Sequence, residues 1–138
     1  MRGLVKVFKA LSDESRLRVL NLILERECCV CEVMQALEIS QSKASRILST
    51  LHDVGFLKLH KDGLWSLYSV DSDGMDAYLK EILTATRTAL RNNRQMETDR
   101  ERLKTAIRTG PGCVNRNAKV SVRRLSTSRK PMETTDES

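Results

Sequence analysis

Aromatic side chains are scarce in this chain, with two Phe, two Tyr and one Trp in 138 residues. A core for a domain of that length must then be built from Leu, Ile and Val, which points to a small helical domain or to an apolar core shared by two chains. Long apolar runs are missing too. No stretch approaches the roughly 18 residues that cross a bilayer. Lys6 and Lys9 interrupt the apolar residues of the N-terminus, and no small-residue cleavage site follows them. Neither a membrane span nor a signal peptide is expected, and the expected compartment is the cytoplasm. The cysteines are not spread out: Cys28, Cys29 and Cys31 crowd into four positions, and only Cys113 stands apart. A secreted disulfide scaffold separates its cysteines to staple distant segments. A cluster in a cytoplasmic chain reads instead as metal or redox chemistry. No glycine loop able to cradle a phosphate is present, and no His is placed as partner base to a nucleophile, which argues against an enzyme.

Positive charge is in excess. The formal net charge is +6, and half of it lies in residues 110–138, where six Lys/Arg face three Asp/Glu. A basic chain of this size favours a polyanionic partner, though weakly on charge alone.

Apolar spacing lays out the elements. Leu4, Val5, Phe8 and Leu11 predict a short first helix. Ser12 is a good N-cap for a second helix from about Asp13 to Arg26, with Leu17, Leu20 and Leu24 on one stripe. A third short helix is expected over Cys31–Leu37, then a turn at Glu38-Ile39-Ser40, then a fourth helix from Gln41 to about Val54, capped by Ser40 and ended by Gly55. Beyond Gly55 the period changes. Phe56–His60 and Leu64–Val70 predict two strands joined at Lys61-Asp62-Gly63, a strong hairpin signal. A long helix is expected from Met75 to Leu90, with Asn92-Asn93 ending or loosening it and a weaker continuation to about Arg108. Gly110-Pro111-Gly112 stops all helix. The expected organisation is a folded domain over 1–109 and a basic, disordered tail over 110–138. The fold class is mainly α with a β-hairpin wing (α+β): a winged helix-turn-helix.

Two short helices joined by a three-residue turn form the helix-turn-helix signature, whose second helix enters the major groove N-terminus first. Here that end carries Gln41, Ser42, Lys43 and Ser45, with Arg46 and Ser49 further along. Gln can read adenine and Arg or Lys guanine, each through two hydrogen bonds. Ser and Lys suit phosphates. Lys58, His60 and Lys61 of the wing are candidates for the sugar-phosphate backbone. His52 reads as an ordinary surface residue.

The run Glu27-Cys28-Cys29-Val30-Cys31-Glu32 lies at the start of the first of those two helices. Soft thiolates select thiophilic ions such as As(III), Sb(III), Cd(II) or Pb(II), and a helix N-terminus favours the thiolate. Residues i and i+2 of a regular helix stand about 200° apart around its axis. Capture of one ion by both Cys29 and Cys31 is therefore expected to unwind the first turn and disturb the reading helix. A redox pair with Cys31 or Cys113 is the other chemistry open to the cluster. A structural zinc site lacks its fourth ligand.

Leu4 to Leu90 resembles the ArsR/SmtB family of metal-responsive repressors. The resemblance rests on Leu11-Ser12-Asp13-Glu14-Ser15-Arg16-Leu17-Arg18, on the Cys29-Val30-Cys31 pair ahead of the reading helix, on Ser40–Leu48 with Leu51, and on the Asp62-Gly63 wing. It implies a homodimer held by the N- and C-terminal helices and bound to double-stranded operator DNA near a resistance operon. It also implies Cys29 and Cys31 as ligands to As(III) or Sb(III), with no constitutive cofactor. In the familiar arrangement a third cysteine follows three residues after the second, and here Met34 holds that place. The third thiolate must come from Cys28 or Cys113, unless a trivalent organoarsenical needs only two. The long helix Met75–Leu90 has no His, which disfavours the zinc site that other family members place there.

Overall fold

The computed structural model describes residues 2–109. Cys113 and the expected basic tail lie outside them. The elements run α1 (Arg2–Leu11), α2 (Glu14–Glu25), α3 (Val30–Leu37), α4 (Gln41–Asp53), β1 (Leu57–Asp62), β2 (Trp65–Val70), α5 (Ala77–Leu90) and α6 (Arg94–Thr105).

Capping chemistry sets most of the helix starts. Asp13, not Ser12, caps α2: its Oδ2 accepts from the Arg16 N–H at 3.0 Å, while the Ser12 hydroxyl turns back to the Lys9 carbonyl. Both residues suit an N-cap, and the one whose side chain reaches the third backbone N–H defines the start. Ser40 caps α4 through the Lys43 N–H at 3.2 Å. The turn between α3 and α4 is three residues long, and Glu38 closes α3 in the left-handed conformation with φ 58°. After α4, Gly55 sits at φ +105°, with Leu79 of α5 3.0 Å from where a Cβ would be. Only Gly fits that backbone without strain.

The two strands form one antiparallel hairpin in which Leu57 pairs with Val70 and Asp62 with Trp65. The connecting turn is Gly63-Leu64, so Lys61 and Asp62 belong to the strand rather than to the loop expected there. Gly63 takes φ +66° at the first turn position, the place of Gly in the Gly-first two-residue turn.

The C-terminal half departs further from expectation. The weak continuation is a separate helix, α6, capped by Asn93 through the Met96 N–H at 3.1 Å. It folds back on α2 and α3. Asp99, 1 % exposed, takes a two-point ion pair from Arg18 at 2.8 and 3.0 Å. The Asn21 amide donates to the Met96 carbonyl and accepts from Arg100. A buried carboxylate is tolerated because Arg18 and Gln95 satisfy it.

Aliphatic side chains dominate the core, as the shortage of aromatics requires. Val19, Leu20, Leu22, Val33, Leu48 and Leu51 are fully buried, with Phe56 the one large ring among them. No helix among the described residues is long and apolar enough to cross a membrane.

Candidate thiol site and nucleic-acid interface

Cys29 is the N-cap of α3, in extended backbone at φ −94° and ψ 170°, and only Cys31 lies inside the helix. The expectation that the pair must unwind a turn before meeting one ion is therefore corrected. The break in backbone direction at Cys29 already turns its side chain onto that of Cys31, and the two Sγ atoms are 2.8 Å apart. Both residues are buried, at 1 % and 0 % exposure.

Glu32 organises this junction. Its Oε1 accepts from the Cys29 N–H at 2.9 Å, the carboxylate half of a capping box. Its Oε2 takes Arg26 Nη1 at 2.9 Å, and Oε1 also takes Arg108 Nε at 3.2 Å. Gln35 clasps the backbone of Ile107 from both sides, donating to its carbonyl at 2.7 Å and accepting from its N–H at 3.1 Å. The chain leaving α6 is thereby laid over the start of α3, and the Ile107 carbonyl comes within 3.9 Å of Cys31 Sγ.

Cys28 goes elsewhere. Its thiol donates to the Arg26 carbonyl at 3.3 Å and packs in the main core, whereas Cys29 and Cys31 form a separate cluster with Leu67 and Trp65. Burial, followed by the charge of Glu32, pushes the Cys28 thiol up to about 12. Cys28 and Cys31 stand at Cys-x-x-Cys spacing, yet the fold assigns them to different clusters. Among the described residues no group of three or more His, Cys, Asp and Glu side chains is arranged to hold a metal ion.

On α4, Ser42, Lys43, Arg46 and Ser49 are exposed, and Gln41 and Ser45 are half-buried. Ala44, Ile47, Leu48 and Leu51 hold the helix to the core. Lys58 and Lys61 are exposed on β1. His60 is turned to Glu27, its Nε2 3.2 Å from Oε1, which couples the wing to the residue beside the thiol run. A second link joins them. Cys28 and Tyr68 exchange backbone hydrogen bonds of 3.0 and 2.8 Å, and the Tyr68 ring meets His52 of α4 edge-on, 6.4 Å between centroids.

The family model described as bacterial regulatory protein, arsR family, matches residues 13–58, which run from the α2 cap through the reading helix into the wing. The arsenical resistance operon repressor of Escherichia coli is 43 % identical over 80 residues, covering 57 % of this chain and 68 % of that one. The chain belongs to the arsR family of bacterial regulatory proteins. Two other relatives place it within that family's range. The arsenic resistance transcriptional regulator ArsR1 of Pseudomonas putida is 42 % identical over 83 residues, covering 57 % of this chain and 65 % of its own length. The cadmium resistance regulatory protein CadC homolog of Staphylococcus aureus is 39 % identical over 79 residues, covering 56 % and 62 %. The matches thus span just under two thirds of both regulators. A winged helix-turn-helix domain from Mycobacterium bovis, described as homodimeric, superposes with a TM-score of 0.55 over 67 % of this chain and 82 % of that one, at 19 % identity. At that identity the likeness is one of fold: both chains are winged helix-turn-helix domains.

Three contributors to the thiol site carry little signal in the sequence. Glu32 stands three residues after Cys29, the capping-box spacing, but with Cys in place of the usual Ser or Thr. Leu67 and Trp65 are inward positions of an alternating strand, and nothing in their local pattern names the cysteines as their neighbours.

Proposed function

We propose that this chain is a repressor that holds operator DNA as a homodimer and releases it when trivalent arsenic or antimony condenses with the thiols of Cys29 and Cys31. One observation carries the reading: the 2.8 Å approach of those two sulfurs at the cap of the first helix-turn-helix helix. The chemistry is a condensation without change of oxidation state. Arsenous acid exchanges two hydroxyls for two thiolates, the two thiol protons leave with them as water, and a third thiol displaces a third water. Cys113 is the candidate third ligand, because Cys28 is committed to the main core and only three residues separate Cys113 from Thr109.

The DNA side of the reading uses Gln41, Ser42, Lys43, Ser45, Arg46 and Ser49 in the major groove and Lys58 and Lys61 on the backbone. His60 joins them once it leaves Glu27. The dimer uses α1 and α5, where Val5, Phe8 and Tyr78 are 44 %, 55 % and 40 % exposed. Large apolar side chains clustered on two adjacent helices mark a protein interface. The names of the Escherichia coli and Pseudomonas putida relatives support an arsenical as inducer; that of the Staphylococcus aureus relative keeps cadmium as the second reading.

The test is a fluorescence anisotropy titration of the protein–operator complex with arsenite, a trivalent methyl or phenyl arsenical, and cadmium. Release by arsenite that is weakened in Cys113→Ser establishes the three-thiol site. Release by the organic arsenicals alone establishes the two-thiol site. Release by cadmium alone replaces arsenic by the second reading, and release by none overturns the choice of inducer.

A further inference from the structure

The thiol pair does not pack into the main core. Its apolar neighbours are Leu67, fully buried, and Trp65, half-buried, which share one face of β2. The opposite face of that strand, Tyr68 and Val70, lies on the main core. The residue just before the pair, Cys28, is bonded to β2 through both backbone groups of Tyr68, so the thiol run acts as a one-residue third strand of the wing. Tyr68 touches His52 of α4, and Glu27 holds His60 of β1. Trp65 Nε1 is buried with no hydrogen-bond partner, so a rearrangement that brings it to an acceptor leaves the wing no worse satisfied.

We propose that the wing is the moving wall of the thiol site, with Leu67 and Trp65 displaced by the captured atom and β2 carrying that displacement to α4. The inference rests on the reading of Cys29 and Cys31 as the capture site. Interiors are close-packed, so an atom added between two buried sulfurs must displace a neighbour. On α3, which carries Cys31, Val33 and Ala36 are fully buried in the main core and anchor that helix. On the other side stands a two-stranded hairpin, the least self-sufficient element of the fold. The chain leaving α6 meets Cys31 through the Ile107 backbone carbonyl at 3.9 Å, so the apolar wall that yields is the wing, which carries Lys58 and Lys61 and stands beside the reading helix.

Trp65 is the only tryptophan, so the full-length protein reports on this wall without a label. Arsenite is expected to change Trp65 emission in the wild type and not in Cys29→Ser. Hydrogen exchange gives a second readout: protection of the Tyr68 N–H, which bonds to the Cys28 carbonyl, is expected to fall at least tenfold on arsenite binding. Leu67→Ala makes room for the atom beside the sulfurs. It is expected to keep arsenite affinity while shrinking the arsenite-induced loss of operator affinity at least threefold. Should that variant fail to fold, emission and exchange in the wild type decide. Operator release with Trp65 emission and Tyr68 protection both unchanged overturns the proposal alone. A chain that binds no arsenite overturns the capture site and this proposal with it.

Discussion

Replacing Glu32 by Gln tests how the thiol site is held. The carboxylate is 3 % exposed and serves three donors: the Cys29 N–H, Arg26 and Arg108. Gln keeps the size and can still accept from Cys29, so the capping contribution of about 0.5–2 kcal/mol is largely retained. The two charge-assisted bonds are lost, at about 1.5–3 kcal/mol each where the donor stays buried. Arg26 and Arg108 are 37 % and 26 % exposed and rehydrate in part, which brings the net cost to about 2 kcal/mol. At a urea slope of about 2 kcal/mol per molar, that is a fall of about 1 M in the unfolding midpoint. Protein concentration must be held fixed if the chain dimerises. Arsenite affinity should fall as well, because the N-cap conformation that brings Cys29 onto Cys31 loses its anchor. Glu38→Gln is the control: its bond to Arg102 is short at 2.7 Å but solvent-exposed, so a change within about 0.5 kcal/mol is expected. If Glu32→Gln costs no more than Glu38→Gln and leaves arsenite affinity intact, the role given to Glu32 is wrong.

Cys28 should make stability pH-dependent at the alkaline end. Its thiol is raised in the fold, chiefly by burial, so the protonated form is favoured there; stability is full below the ordinary thiol pKa and is lost as pH rises from about 9 towards about 12, at about 1.4 kcal/mol per unit. Urea unfolding of wild type and Cys28→Ala through that range checks it, and a difference that does not change with pH contradicts it. Lys43→Ala should flatten the dependence of operator affinity on salt. The log–log slope should drop by about 0.9 for each phosphate that Lys43 neutralises, and by about twice that in a dimer; an unchanged slope removes Lys43 from the DNA face. Leu48→Ala, in a fully buried position of the reading helix, should cost about 2–5 kcal/mol in chemical denaturation, and a change below about 1 would mean the site is not core.

The helix-turn-helix is legible in the sequence because its signals are local. Ser40, Gly55 and the spacing of Ala44, Ile47, Leu48 and Leu51 mark α4 within one window, and the three-residue turn before it is bounded by the Ser40 cap. The hairpin is legible as alternation, but Asp62-Gly63 falls one place out of register because Gly serves a two-residue turn in more than one slot. The parts that differ from expectation depend on distant partners. The cap of α3 is a Cys whose geometry is enforced by Glu32, and that carboxylate is held by Arg26 and by Arg108 from beyond α6. The separate course of α6 follows from the pairing of Arg18 with Asp99, 81 residues apart, which no apolar period reveals. The thiol site is half legible. The crowding of Cys29 and Cys31 points to one ion, whereas the diversion of Cys28 into the core and the wing wall of Leu67 and Trp65 are products of the tertiary fold.

If Cys29 and Cys31 capture the inducer, that capture controls the grip on DNA. Anisotropy of a labelled operator, followed during arsenite titration of wild type, Cys29→Ser and Cys31→Ser, tests it directly. All three proteins are predicted to bind the operator with similar affinity, and only the wild type to let go. Release that survives in both variants, or operator binding that is lost in both before arsenite is added, would contradict it.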